Sequence, residues 1–255
     1  MPLEIVTLPC LADNYVFLLH DAQTGRTAVV DAPEAAPIRA ALEARGWTLT
    51  DILVTHHHWD HVDGVEDLRA AYGARVMGAA ADAARLPKLD VALSEGDSVE
   101  IGTHRGTVID VPGHTVGHIA YYFAQDHAVF TGDSLMALGC GRLFEGTPGQ
   151  MWASLSKLAA LPPDTLVCSG HEYTEANGRF ALTIEPDNEA LKARLKKVHA
   201  LRAAGQATVP SRLDEELATN PFLRASNPHV KALMGMENAP DEAVFAEIRR
   251  RKDSF

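Results

Sequence analysis

The segment Thr55-His56-His57-His58-Trp59-Asp60-His61 places four potential metal ligands, His56, His58, Asp60 and His61, within six residues. Imidazole is largely uncharged at neutral pH and is the commonest side-chain ligand for a metal ion. In an extended backbone, residues two apart point the same way, so His56 and His58 can meet one cation while His57 points away. A helix starting at Trp59 would redirect Asp60 and His61 towards a second cation. Three later residues have the same character: His114 in Pro-Gly-His-Thr, Asp133 in Thr-Gly-Asp-Ser and His171 in Ser-Gly-His-Glu. Each follows an apolar run and a glycine, which allows a sharp turn and close backbone approach. Imidazole and carboxylate donors without thiolate suit zinc and also accept iron or manganese. Two cations ~3.5–4 Å apart can share a water, ionise it near neutral pH and polarise a carbonyl. That chemistry is hydrolysis. His57 and His118 read as orienting groups. His20, His104, His127, His199 and His229 lie outside the motifs and read as solvated.

Strand ends must carry these side chains. The runs 3–8, 15–20, 27–30, 52–55, 74–77, 107–111, 119–123, 128–130 and 165–168 are short, apolar and partly β-branched, as strands are. Residues 34–45 read as a helix with Pro37 in the first turn and Gly46 at the end, and 150–161 as a second that stops at Pro162-Pro163. After about residue 173 the texture changes. Residues 188–204 carry Leu191, Leu195, Val198 and Leu201 on one helical face. Ser211 can cap a further helix, with Glu215 near a capping-box position, and 241–251 reads as a last one. The expectation is a mixed α/β catalytic domain over 1–173 and a helical, substrate-binding domain over 174–255.

Composition narrows the partners. With 255 residues, 46% hydrophobic and 22% charged, the chain can bury a core without disulfides. A net charge of −11 repels a phosphate backbone, so nucleic acid is not expected as a partner. Cys10, Cys140 and Cys168 are widely spaced with no CxxC pair, which fits reduced thiols in a cytoplasm. The N-terminus lacks the pattern of a secretory signal, and no run nears the ~18 apolar residues of a membrane span.

The THxHxDH segment with the later GH, GD and GH segments resembles the metallo-β-lactamase superfamily. That resemblance implies an αββα sandwich with a binuclear site at one edge. It makes His56, His58 and His114 ligands of a first metal, Asp60, His61 and His171 ligands of a second, and Asp133 the bridge. Further segments resemble the glyoxalase II family: GCGRLFEGT at 139–147, GHEYT at 170–174 with Asn177, NPFLR at 220–224 and RRRKD at 249–253. This implies a thioester hydrolase that converts S-D-lactoylglutathione to D-lactate and glutathione, the second step of methylglyoxal detoxification. The nucleophile would be metal-bound hydroxide, with Asp60 and Asp133 as catalytic carboxylates. Two divalent ions are implied, zinc first, with iron or manganese as alternatives. The partner would be a small glutathione thioester, met by a monomer in the cytoplasm. Arg142, Phe144, Tyr173, Arg249 and Lys252 occupy positions that contact substrate. Arg142 stands where many relatives have lysine, and Phe144 where many have tyrosine, so a hydroxyl donor is missing. A thiol of pKa ~8.5 leaves readily as thiolate, so no separate protein acid, such as Glu172, is required.

Competing readings fit less of the chain. A mono-iron persulfide dioxygenase of the same superfamily would have no use for Asp60, His61 and His171. A lactonase or β-lactamase leaves the C-terminal segments unexplained. A diiron scaffold would carry glutamate near His58, and a nuclease would need a basic surface.

Overall fold

Every residue of the strand Asn14–Asp21 is buried, and a strand buried along its whole length needs cover on both faces. A computed structural model of all 255 residues shows what covers it. The chain divides into two compact units, Met1–Asp110 with Gly117–Gly132, and Val111–Val116 with Asp133–Phe255.

In the first unit the buried strand is β2, antiparallel to both β1 (Glu4–Cys10) and β3 (Arg26–Val30). Three parallel strands extend the sheet: β4 (Asp51–Leu53), β5 (Arg75–Ala79) and β6 (Val91–Leu93). Parallel neighbours require crossovers. Two of these contain helices: α1 (Ala35–Arg45) between β3 and β4, and α2 (Trp59–Val62) with α3 (Val65–Tyr72) between β4 and β5. Ile38 and Leu42 of α1 and Val65 and Leu68 of α3 are buried. The other face of the sheet meets the strands β7 (Ser98–Ile101), β8 (His104–Asp110), β9 (Ile119–Phe123) and β10 (Ala128–Gly132), which pair antiparallel in sequence order. Phe17 of β2 packs edge-on against Phe130 of β10 with ring centres 5.5 Å apart. The Tyr121 hydroxyl of β9 donates to the Val54 carbonyl at 2.8 Å. The expected α/β sandwich is present.

In the second unit, β11 (Leu135–Met136) and β12 (Gly139–Cys140) form a short hairpin. Helix α4 (Pro148–Ala159) follows, and Thr147 and Gln150 close a capping box around Pro148, two residues before the expected start. Strand β13 (Leu166–Ser169) pairs with β14 (Ser211–Arg212). Helices α5 (Thr174–Ile184), α6 (Glu189–Ala203), α7 (Leu213–Thr219), α8 (Pro228–Met234) and α9 (Asp241–Asp253) make up the rest, with a 3-10 turn at Pro221–Leu223. Leu138, Ala181, Leu191 and Leu195 form one cluster of their core. Phe180, Phe222, Phe245 and Trp152 form a row with successive ring centres about 6 Å apart.

Three sequence expectations are corrected. Ser211 does not cap α7: it lies in β14, and its hydroxyl donates to buried Glu216 at 2.5 Å. His20 is not solvated: it is buried, stacks on Trp47 and shares a hydrogen bond with Thr27 at 2.8 Å. His104 is buried too, with Nδ1 2.9 Å from an Asp126 carboxylate oxygen. Amphipathic imidazoles enter a core when a partner meets the ring nitrogen.

Candidate metal centre

The ladder of β4 stops at Leu53, and the reason lies one residue beyond β3. Asp31 sits at φ 60°, a left-handed conformation that aspartate tolerates better than most residues. Its carboxylate accepts from the Thr55 backbone N–H at 2.8 Å, drawing the chain after β4 away from ladder pairing. Residues 54–58 stay outside the ladder, and α2 begins at Trp59 with His58 as its cap, at φ −62° and ψ 144°. The backbone switch that the sequence pattern requires thus occurs where expected. His57 donates from Nδ1 to Asp82 at 3.0 Å, and its ring meets that of His58 edge-on with centres 5.0 Å apart.

Proton positions in this motif follow from the acceptors. A carboxylate only accepts, so His61 carries its proton on Nδ1, 2.9 Å from Asp31 Oδ2, and keeps a lone pair on Nε2. The Thr55 hydroxyl donates to the same Asp31 oxygen at 2.8 Å. Its oxygen is then left to accept from His56 Nδ1–H at 3.0 Å, so His56 also keeps a lone pair on Nε2. One aspartate therefore sets the tautomer of two histidines, the usual second role around a metal. His56 Nε2 and His58 Nδ1 are 3.1 Å apart. Two nitrogens bound to one tetrahedral zinc at ~2.0–2.1 Å would be separated by about 3.3 Å. His61 Nε2 is 3.7 Å from Asp60 Oδ2, and Asn14 Nδ2 holds Asp60 through its carbonyl at 2.9 Å and its carboxylate at 3.1 Å. His118 stacks on the His56 ring, with centres 4.6 Å apart and planes 13° off parallel. Asp31, His56 and His61 also form a grouping of potential ligands by distance. Because the Asp31 oxygens already serve three donors, we read it as an orienting group. The donor set and the lone pairs it exposes fit a divalent cation.

In the second unit, His114, Asp133 and His171 come together although 57 positions separate the first from the last. Asp133 Oδ2 is 3.6 Å from His114 Nε2 and 3.2 Å from His171 Nε2. His114 Nδ1–H donates to the Arg142 carbonyl at 2.8 Å, which again leaves Nε2 with a lone pair. The His171 ring stacks on Tyr173 at 4.7 Å, and His114 meets the edge of Phe144 at 5.3 Å. The glycine beside these residues is required by close approach. A Cβ on Gly141 would lie 2.0 Å from the Asp133 carbonyl oxygen and 2.9 Å from His114 Nδ1. In the first unit, Gly132 has φ 47°, and a Cβ there would meet Thr55 Oγ1 at 2.5 Å.

The expected substrate positions also lie in the second unit, in contrasting surroundings. Phe144 is 60% exposed and Tyr173 38%. The Arg142 guanidinium is mostly exposed, 3.6 Å from Asp253 and 6.0 Å from the centre of the Phe144 ring. Lys252 is half-buried, its ammonium 5.4 Å from the Phe180 ring and 5.2 Å from that of Phe255. Burial, then the charges of Arg249 and Arg179, hold its pKa below the ordinary value. Arg249 is only 7% exposed. Its guanidinium donates to the Cys140 carbonyl at 3.0 Å, grips Asp253 at 2.8 and 3.0 Å, and stacks over Phe222. Glu172 accepts from the Thr208 N–H at 2.9 Å and hydroxyl at 2.6 Å, with Arg202 at 3.3 Å.

Sequence reasoning missed Asp31, Asn14 and Asp82. Asp31 could have been found, since it directly follows the apolar run 27–30, the same strand-end position as the other candidates. Asn14 and Asp82 give no comparable signal.

Residues 12–171 match the family model of the metallo-β-lactamase superfamily, and residues 172–255 that of the hydroxyacylglutathione hydrolase C-terminus. A curated hydroxyacylglutathione hydrolase of Cereibacter sphaeroides is 66% identical over 255 residues, covering 100% of both chains. One from a Jannaschia species is 67% identical over 252 residues, covering 99% of this chain and 98% of that one. The solved structure of ETHE1 from Myxococcus xanthus aligns with a TM-score of 0.66 over 100% of this chain and 99% of that one. At 24% identity the likeness is one of fold alone.

Proposed function

The chain belongs to the hydroxyacylglutathione hydrolase family of the metallo-β-lactamase superfamily, and we propose that it hydrolyses S-D-lactoylglutathione to D-lactate and glutathione. The observation that carries this reading is likeness to curated hydrolases along the whole length, including the basic C-terminal segment as well as the ligand motifs. The mono-iron alternative would leave Asp60, His61 and His171 without a role.

On this reading His56, His58 and His114 hold one divalent cation and Asp60, His61 and His171 a second, with Asp133 shared between them. Zinc suits the set best, with iron and manganese as alternatives. Such a pair, when bound, lowers the pKa of a water towards neutrality and stabilises charge on a carbonyl oxygen. The protein residues do the rest. Asp31 keeps the Nε2 lone pairs of His56 and His61 available. Asp60 and Asp133 supply negative charge and orientation beside the histidines. The thiol leaves as thiolate without a protein acid, in keeping with Glu172 being occupied by Thr208 and Arg202. Lys252 and Arg142 attract the carboxylates of the glutathione portion, and Phe144 and Tyr173 flank it. Arg249, whose bonds are already made, contributes by holding Asp253 and the Cys140 carbonyl and by its charge. Residues 1–173 then act as the catalytic domain and 174–255 as the helical substrate-binding domain. No helix is long and apolar enough to cross a membrane, and all three cysteines are buried and free, which suits the cytoplasm we assign.

The test is hydrolysis of S-D-lactoylglutathione beside a lactoyl thioester lacking the glutathione carboxylates, with metal content measured on the same preparation. We expect a clear preference for the glutathione thioester, loss of activity on chelation, and recovery with zinc. Failure to hydrolyse S-D-lactoylglutathione by metal-loaded protein, or activity that survives removal of all metal, ends the reading.

A further inference from the structure

The hairpin of β11 and β12 lies between two of the second unit's supports for a metal. Asp133 comes two residues before it, and Arg142, whose carbonyl accepts from His114 Nδ1, two residues after it. Gly141 closes its open end: the N–H donates to the Ser134 carbonyl at 3.1 Å, and the Cα is too near Asp133 and His114 to carry a Cβ. A shift of the hairpin is therefore felt at both ligand positions. Side chains from the helical region grip its other end. Asn177 of α5 donates to the Ala137 carbonyl at 3.1 Å. Asn220, just past α7, donates to the carbonyls of Met136 and Gly139 at 3.1 and 2.9 Å. Glu216 of α7 accepts from the Leu138 N–H at 2.9 Å. Leu138 is the residue that turns the hairpin, at φ 56°, a left-handed backbone that leucine seldom takes. Such a conformation persists where its surroundings over-determine it.

Glu216 is completely buried and accepts four hydrogen bonds. One carboxylate oxygen takes Arg194 and the Ser211 hydroxyl, and the other takes the Leu138 N–H and, at 3.1 Å, the Asn220 amide. Arg194 is buried too, and its second nitrogen donates to Thr219 at 2.8 Å. A buried ion pair adds little net stability over apolar residues of the same size. What this pair supplies is direction, because Arg194 occupies one oxygen and turns the other to the hairpin. We propose that Glu216 is a positioning residue for the metal centre: through the Leu138 N–H it fixes the hairpin, and through the hairpin it aims Asp133 and the Arg142 carbonyl that orients His114. This rests on the metal assignment within the proposed function and is independent of the substrate. It also gives the helical region, expected to bind substrate, a second task, and it gives Asn220 of the NPFLR segment a share in that task.

The experiment separates the acceptor from the ion pair with two neutral double variants of the full chain. Arg194→Met with Glu216→Gln removes both charges but keeps an oxygen for the Leu138 N–H. Arg194→Met with Glu216→Met removes the charges and the acceptor together. Zinc affinity is measured by chelator competition, and the absorption bands of the cobalt(II)-loaded protein report the geometry of its ligands. We expect the Gln double to keep the parental spectrum and affinity. The Met double should bind zinc about tenfold more weakly and show altered cobalt bands at full occupancy. Glu216→Gln alone should resemble the Met double: the Arg194 charge claims the amide oxygen, and the amide nitrogen then meets the Leu138 N–H donor to donor. Val230→Ala, a core truncation in α8, should lower the melting temperature and leave the cobalt spectrum unchanged. A Met double with parental bands and zinc affinity within about twofold of the parent overturns the proposal. So do equal changes in the two doubles, or a Glu216→Gln protein that matches the Gln double. A parent chain that binds neither zinc nor cobalt overturns the metal assignment itself.

Discussion

Asp31→Asn is the substitution that isolates orientation from shape. Asparagine fills the same volume and tolerates the left-handed backbone at φ 60°, so the fold has little reason to move. What changes is polarity. The amide oxygen can still accept from the Thr55 N–H, now held at 2.8 Å. The amide nitrogen, a donor, then faces the Thr55 hydroxyl and His61 Nδ1, at 2.8 and 2.9 Å from the present carboxylate oxygen. To avoid two donors meeting, His61 must shift its proton to Nε2, which removes the lone pair meant for a cation. Thr55 must also rotate its hydroxyl away, so His56 loses its tautomer control as well. Changes to such supporting groups cost about 10–100-fold in metal affinity, or about 1.4–2.7 kcal/mol. The assay is a competition titration of metal-free protein with zinc against a chromophoric chelator, alongside a thermal melt of the same metal-free protein. We expect weaker zinc binding with a much smaller change in the melt, and kcat/KM falling in step with occupancy. Zinc affinity within about twofold of the parent would refute the tautomer argument. Equal weakening by Asp31→Asn and by an unfolding-prone core variant would reduce it to a stability effect.

Three other outcomes follow from the same geometry. Phe144→Tyr restores a hydroxyl beside His114, and one hydrogen bond of ~0.5–1.5 kcal/mol should lower KM about two- to tenfold; an unchanged or higher KM counts against a glutathione contact at that position. Glu172→Gln should keep kcat within about threefold, with an unaltered pH profile, and lower the melting temperature because its partners Thr208 and Arg202 lose a charged acceptor; collapse of activity in a well-folded protein would restore a proton-donor role. Burial pushes the Cys10 thiol up to about 12 and the Cys140 thiol up to about 11, from 9.0. Thiol reagents at pH 8 should therefore label the native protein far more slowly than the unfolded one. Above pH 9 the unfolded thiols ionise while the native ones stay protonated, so stability should fall as pH rises towards 11; a urea midpoint equal at pH 8 and pH 10 contradicts this.

Much of the metal chemistry was legible in the chain because its densest part is local. His56, His58, Asp60 and His61 need only an extended stretch followed by a helix start, and backbone geometry then decides where they point. The glycines before His114, Asp133 and His171 were legible for a similar reason, since a ligand at a strand end needs a turn that larger residues obstruct. Helix limits such as the one near Arg45 followed from periodicity and breakers. Other features depended on partners distant in sequence, where local patterns carry no information. Asp31 governs His61 from 30 positions away, and His57 finds Asp82 only because β5 lies beside β4. The tail's family resemblance singled out Arg249 and Lys252, yet packing buried Arg249 against Phe222, tied Arg250 and Arg251 to Glu247, and set the Lys252 ammonium against the Phe180 and Phe255 rings. Residue type determined which chemistry was available. Tertiary packing decided which charges were compensated and which ring nitrogens kept their lone pairs, because both depend on the distance to an acceptor, and only the folded chain sets that distance.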